Sequence, residues 1–185
     1  MDSQTEIYRE LKNNLMRRPT LVEFYRAAGS VATIRQSFGH WFNLVKDEND
    51  LDSIESILVD THEKFFKELE KTSLTKSFKI VLMEAYLELN GFSKPPTTIA
   101  LANKSFEVFQ RRRTLLSDLP DEYINLSELL DEYQGPWHSY WKKNPIHAWI
   151  GGDYFGNEDD RFVFHQEIQD QQVEIFNQLV WEIVN

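Results

Sequence analysis

Residues 17–42 read RRPTLVEFYRAAGSVATIRQSFGHWF, and this stretch decides the fold expected for the N-terminal part of the chain. Thr20 is followed three residues later by Glu23, which is a capping-box pattern for the start of a short helix. Gly29 is a suitable residue to end that helix, and Ser30 is a suitable cap for the next one. The stretch therefore predicts two short helices joined by a Gly-containing turn.

A third short helix is predicted from about His40, because Gly39 ends the second one. The apolar faces of the three helices are formed by Leu21, Phe24, Tyr25, Ile34, Phe38, Trp41, Phe42 and Val45. A further helix over residues 3–16 precedes them. Short helices around a Gly-containing turn are typical of helix-turn-helix DNA-binding proteins, so residues 1–47 are predicted to form a tri-helical unit of that kind.

The remainder of the chain predicts a mainly α-helical body over residues 48–185 with one small β-hairpin. Helical patterns cover residues 51–70, 72–89, a segment starting at Thr97 or Thr98, 126–133 and a last segment from about Glu167. Two short strands are expected within 154–164, with residues 156–160 as the turn. This hairpin would suit the wing of a winged helix, but its acidic tip would repel phosphates, which favours a structural role.

Composition excludes several classes of function. There is no cysteine, so disulfides, thiol nucleophiles and cysteine-based zinc sites are excluded. No apolar run reaches the roughly 20 residues of a membrane span, and the N-terminus lacks a signal peptide, so a cytoplasmic protein without a membrane partner is expected. No ATPase, hydrolase or His-pair metal motif is present, so the chain is predicted to need no metal or cofactor and not to be an enzyme on its own.

Charge is unevenly distributed along the sequence. The chain carries a net −10, but residues 1–46 hold seven Lys/Arg and four Asp/Glu, a net of +3, and residues 47–185 have a net of −13. Phosphate contacts require Lys and Arg, so the tri-helical end is the part that suits DNA.

Polar side chains of the second short helix would read base edges, while nearby arginines would hold phosphates. The predicted DNA-binding residues are Arg17, Arg18, Arg26, Thr33, Arg35, Gln36 and His40. A second version places the reading helix at residues 40–46, using His40, Asn43 and Lys46. An ordinary three-helix core with a solvated polar face explains the same pattern without DNA.

Other basic residues are candidates for secondary nucleic-acid contacts: Lys76, Lys79, Arg111, Arg112, Arg113, Lys142 and Lys143. Solvated helix faces are the alternative explanation for these residues. Trp137 and Trp141 lie beside the last two lysines, as in single-strand stacking platforms, but their spacing of four favours a shared core face.

Two resemblances follow from short motifs. The segment from Arg18–Thr20 to Phe38–Trp41 resembles the DNA-binding repeats associated with homing endonucleases, with His40 where Ser is usual. A longer ordered series is similar to the C-terminal accessory region of prokaryotic superfamily 2 DEAD/DEAH-type helicases. Its members are Arg18–Thr20, Phe38–Trp41, Glu70–Lys79, Asn144–Trp149 and Leu179–Val184.

The resemblance implies a non-catalytic module that binds or positions DNA for a bacterial helicase, in DNA repair or in defence against foreign DNA. Its partners would then be DNA, bound weakly and with assistance, and the helicase motor domain in the same parent chain or complex. The uncapped end at Asn185 is what a piece of a longer protein would show. The alternative is an acidic protein-interaction or regulatory domain without nucleic-acid binding, which the net charge of residues 47–185 favours.

Overall fold

A computed structural model describes residues 3–75, 78–124 and 135–185, and most of these residues lie in helices. The α-helices in chain order are α1 (Ser3–Leu15), α2 (Leu21–Arg26), α3 (Val31–Ser37), α4 (Trp41–Asp47), α5 (Ser53–Thr61), α6 (Glu63–Ser73), α7 (Phe78–Glu88), α8 (Thr98–Arg111), α9 (Arg113–Leu116), α10 (Asp121–Ile124), α11 (Pro136–Trp141), α12 (His147–Ile150) and α13 (Val173–Val184). Strands β1 (Phe155–Glu158) and β2 (Arg161–Phe164) pair antiparallel. The predicted class, mainly α with one small hairpin, is confirmed.

Contacts divide the chain into two compact units. The first unit comprises Met1–Leu74 together with Glu174–Asn185, and the second comprises Thr75–Val173. The division expected from sequence followed residue 47, whereas α5, α6 and α13 pack with the first unit. Aromatic contacts account for this grouping, because the ring of Phe66 lies 5.2 Å from that of Phe42 and 5.5 Å from that of Phe176.

The short helices of residues 17–47 begin where the sequence predicts. Thr20 and Glu23 form a complete capping box at the start of α2, and the Ser30 hydroxyl accepts from the backbone N–H of Thr33 at the start of α3. The turn between α2 and α3 differs from the expectation. Ala28, and not Gly29, has the left-handed φ of 66°, while Gly29 lies so close to the Phe24 ring that a Cβ there would clash.

The core of the first unit is aromatic. Trp41 is fully buried, and its ring lies 5.7 Å from that of Tyr8 and 5.2 Å from that of Phe24. Tyr25 was assigned to the apolar side of α2, but it is 60% exposed because it follows Phe24 round the helix and faces away from this core. Its assignment to the core was wrong.

The long helix predicted over residues 51–70 is two helices. His62 separates α5 from α6 with a non-helical ψ of 27°, and its buried ring lies edge-on to that of Phe176 at 5.0 Å. The helix predicted over 72–89 is also divided differently, since α6 continues to Ser73 and α7 begins at Phe78.

The second unit packs its tryptophans inward. The rings of Trp137 and Trp141 are buried and stacked at 4.9 Å, and the indole N–H of Trp137 donates to the Ala102 carbonyl at 2.8 Å. These contacts support the core assignment of the two tryptophans. A π-helical turn, Lys142–Ile146, follows α11 and contains Pro145.

The hairpin has a tighter turn than predicted. Asp159 and Asp160 have positive φ values of 51° and 61°, as in the two-residue turns that join twisted strands, so residues 156–158 belong to β1. Asp160 also binds the start of α8, because its carboxylate accepts from the Thr98 hydroxyl and its carbonyl accepts from the Thr98 N–H, both at 2.9 Å.

Two further expectations concern the C-terminal half. The last helix begins at Val173, after a 3-10 turn at Asp170–Gln172, and not at Glu167. The helix predicted near residues 126–133 lies outside the described residues.

Candidate nucleic-acid interface

Helix α3 presents a polar face to solvent. Its apolar residues Val31 and Ile34 are buried in the first unit, whereas Arg35 and Gln36 are exposed. Ala32 lies three residues before Arg35 and is also exposed, so these positions form one continuous strip on the helix. The strip contains two of the side chains that the sequence nominated for DNA contact.

Arg35 is held in position by a buried carboxylate. Its Nε lies 3.3 Å from Glu70 Oε1, and the other oxygen of Glu70 accepts from the backbone N–H of Trp41 at 2.9 Å. Burial raises the pKa of Glu70, while the Trp41 N–H and the Arg35 charge lower it. Because Glu70 contacts only Nε, the Nη groups of Arg35 have no protein partner among the described residues.

A cavity of about 220 Å³ opens beside α3. It is lined by Arg35, Gly39, His40, Lys67, Glu70 and Lys71. Lys67 lies 2.9 Å from Glu63, one helical turn earlier, and Lys71 has no carboxylate partner among the described residues. Sequence reasoning missed both lysines, although their spacing of four places them on one face of α6.

The remaining candidate residues near α2 are at the surface. The guanidinium of Arg17 makes two bonds to the Glu23 carboxylate, at 2.6 and 3.0 Å, and these bonds lower the pKa of Glu23. Arg26 is exposed at the end of α2 and has no carboxylate partner in the described part of the chain. The Thr33 hydroxyl is half-buried and donates to the Ser30 hydroxyl at 2.9 Å.

Arg18 is not available to hold a phosphate. Its side chain is 19% exposed and is ion-paired with Glu55 and, at 2.7 Å, with Glu182. Its Nη1 also donates to the Asp50 carbonyl. The sequence placed Arg18 on the DNA surface because its acidic partners are distant along the chain, and the structure places it inside the first unit.

His40 is also not a surface base contact. Its side chain is 2% exposed, and burial lowers its pKa, so the neutral imidazole is favoured. Nε2 lies 3.6 Å from Glu63 Oε1, and Nδ1 has no hydrogen-bond partner within the described residues. The ring instead forms part of the cavity wall.

The second version of the reading helix, residues 40–46, is disfavoured by the same kind of contact. The Asn43 amide donates to the Phe38 carbonyl at 2.7 Å, and Lys46 is ion-paired with Asp60 at 2.9 Å. With His40 buried, each of the three nominated side chains is already engaged or enclosed.

The secondary candidates in the second unit are mostly paired. Lys79 lies 4.0 Å over the Trp149 ring, Arg111 is ion-paired with Glu88, and Arg112 lies 2.8 Å from Glu84. A further pair joins Lys142 to Asp160 at 3.7 Å, and Lys143 is exposed. Lys76 and the side chain of Arg113 lie outside the described residues.

The uneven charge of the sequence does not persist in the folded units. Residues 47–74 and 174–185 join the first unit and bring it to ten Lys/Arg and fifteen Asp/Glu, a net of −5. The second unit has the same totals. Any attraction of the first unit for phosphates must therefore be local to the cations around α3.

Comparisons with known proteins do not add a family to this description. No protein-family model matches the chain, and no curated protein or solved structure matches it either.

Two kinds of feature are absent from the residues that the structure describes. Within residues 3–75, 78–124 and 135–185, no cluster of three or more His, Asp or Glu side chains would hold a metal ion. None of the helices described there combines the length and apolar composition that crossing a membrane requires.

Proposed function

We propose that this chain is a non-catalytic accessory module that contacts DNA weakly through the outer face of α3. The observation that carries the proposal is the exposed strip of α3, on which Arg35 is oriented by Glu70 and Gln36 is unengaged among the described residues. Side chains that contact bases need both features, a fixed backbone position and free hydrogen-bonding groups.

The dimensions of α3 suit this contact. A helix of seven residues is about 10 Å long, and the major groove of DNA is about 12 Å wide. Gln36 has the amide group that pairs with adenine, and Arg35 has the fork that pairs with guanine or with a phosphate. Arg26 and Arg17 would lie on the DNA backbone, with Arg17 exchanging Glu23 for a phosphate.

The contact is weak because the first unit carries a net −5. Most of the affinity of a protein for DNA comes from phosphate neutralisation, and an acidic unit loses part of that gain through repulsion. The proposal therefore includes a partner protein that binds DNA more tightly. The ordered motifs from Arg18–Thr20 to Leu179–Val184 support a helicase motor in that role, in repair or in defence against foreign DNA.

Fluorescence anisotropy of labelled duplex DNA with the full chain at low salt tests the proposal. Arg26→Ala should weaken binding equally on all sequences and reduce the salt slope by about one unit. Lys64→Ala is the matched control, because Lys64 is also an exposed cation without a carboxylate partner among the described residues, but it lies on α6 and outside the proposed contact surface of α2 and α3.

Gln36→Ala should reduce the preference between duplex sequences and leave the salt slope unchanged, since an amide neutralises no phosphate. Folded protein that leaves the anisotropy of duplex and single-stranded DNA unchanged at low salt would overturn the proposal. That result would favour the second candidate, an acidic protein-interaction domain, for which the specific observation is the equal net charge of −5 in both units.

A further inference from the structure

We infer that the cavity beside α3 binds a single phosphate group. The inference rests on the proposed function for the source of that group, a phosphate of the bound DNA, but the recognising chemistry belongs to the cavity alone. Three cationic side chains, Arg35, Lys67 and Lys71, line one opening of about 220 Å³.

The three cations of the cavity differ in how far protein carboxylates already pair with them. The Nε of Arg35 donates to Glu70. This contact fixes the plane of the guanidinium and leaves both Nη groups for a ligand. Two parallel N–H donors of this kind match a pair of phosphate oxygens. Lys71 adds an ammonium without a carboxylate partner among the described residues, and Lys67 shares its charge with Glu63.

His40 forms part of the cavity wall without donating into the cavity. Its side chain is 98% enclosed and its Nδ1 is buried. Glu63 faces Nε2 at 3.6 Å, which favours the Nε2–H tautomer of the neutral ring. The donors available to a ligand are therefore the three cations.

Glu70 is an acidic group in an anion site, and its charge is compensated. One of its oxygens contacts Arg35 and the other accepts the Trp41 N–H, so both oxygens face protein donors. The role of Glu70 at this site is therefore to orient the guanidinium of Arg35.

The arrangement favours phosphate over carboxylate. Donors come from two helices: from α3 through the two Nη groups of Arg35, and from α6 through Lys67 and Lys71. A tetrahedral group with three or four oxygens accepts from both helices at once, whereas a carboxylate has only two oxygens in one plane.

The test uses the full chain labelled with ¹⁵N and titrated in a phosphate-free buffer. Inorganic phosphate should produce saturable shifts of the backbone amides of residues 35–41 and 67–71, and acetate should bind several-fold more weakly. Lys71→Met should weaken phosphate binding about tenfold, as expected for the loss of a charge-assisted hydrogen bond. Lys64→Met, which removes the same charge from the same helix outside the cavity, should change it less than about twofold.

Two results would each overturn the inference. One is acetate binding as tight as phosphate binding, and the other is an equal loss of phosphate binding in the Lys71 and Lys64 variants.

A 5′-phosphorylated oligonucleotide, its 5′-hydroxyl counterpart and inorganic phosphate separate the sources. The inference predicts that Lys71→Met weakens oligonucleotide binding as well as phosphate binding. If duplex DNA binds and responds to Arg26→Ala but not to Lys71→Met, and inorganic phosphate does not bind, the inference fails and the proposed function stands. If inorganic phosphate binds as expected and no DNA does, the cavity assignment stands and the proposed function fails.

Discussion

Helices α3 and α4 have seven residues each, lie next to one another in the sequence and were both candidates for the reading helix. They differ in how many sides are covered by other helices. In α3 only Val31 and Ile34 are buried, while α4 buries Trp41, Phe42, Leu44 and Val45. The difference teaches that availability for a ligand is decided by the packing around a helix and not by the polar residues that it contains.

Trp41→Ala gives the largest expected effect, because it removes the α4 ring that packs on Tyr8 and Phe24. The free energy of unfolding should fall by about 4 kcal/mol, as is usual for deleting a buried Trp side chain. Gln36→Ala on α3 is the control and should stay within about 0.5 kcal/mol of the parent. Chemical denaturation measures both, and equal effects would remove the distinction between the two helices.

Arg18→Met extends the comparison to the two neighbouring arginines that precede α2, Arg17 and Arg18. Glu55 and Glu182 would lose their shared cation inside the protein, so the free energy of unfolding should fall by about 3 kcal/mol. Arg17→Met should change it little, since that pair is at the surface. Replacing Glu182 with Leu in the Arg18→Met background should restore part of the loss. No restoration would contradict the assignment of the loss to an unpaired charge.

The sequence predicted the features that depend on neighbouring residues. The Thr20–Glu23 box and the Ser30 cap are complete within three residues, and each forms as expected. The helix expected to start at Thr97 or Thr98 has Thr97 as its cap. Contacts between residues that are distant in the sequence could not be predicted from it. Arg18 pairs with Glu182 across 164 positions, which no local pattern indicates.

The same limit applies to the candidate site. Arg35 and Gln36 were found because their helix is local, whereas Lys67 and Lys71 join the cavity only through the packing of α6 beside α3. His40 was assigned to the surface because helical spacing alone does not report that the ring is enclosed.

The pH dependence of folding stability is a further property that involves α4, because His40 lies directly before that helix. Burial lowers its pKa in the folded state below the ordinary value of 6.5, so the unfolded chain binds a proton that the folded chain resists. Stability should therefore fall as pH decreases below about 6.5, by up to about 1.4 kcal/mol per pH unit, and should be independent of this group above that value.

The measurement is the difference in unfolding free energy between the parent and His40→Gln from pH 7.5 to 5.5, in phosphate-free buffer. Neighbouring groups such as Glu63 and Lys67 are common to both proteins and cancel in the difference. Parallel pH profiles would show that His40 is not protected from protons in the folded state.

Ala28→Gly has the smallest expected effect and acts on the turn that leads into α3. Ala28 has a φ of 66°, a conformation that costs a residue with a Cβ about 1 kcal/mol and costs glycine little. The variant should be slightly more stable, by less than about 1 kcal/mol after the greater freedom of the unfolded chain is subtracted. Ala27→Gly, at a φ of −83°, should be slightly less stable. Thermal melts compare both variants with the parent, and a loss of stability at both positions would argue against strain at Ala28.

The discontinuous make-up of the first unit has a consequence for the order in which the protein is made. Residues 75–173 are synthesised after Met1–Leu74 and before Glu174–Asn185. Until then the N-terminal segment lacks the ring of Phe176 for Phe66 and the carboxylate of Glu182 for Arg18. The first unit is therefore able to complete its packing only after all residues of the second unit have been synthesised.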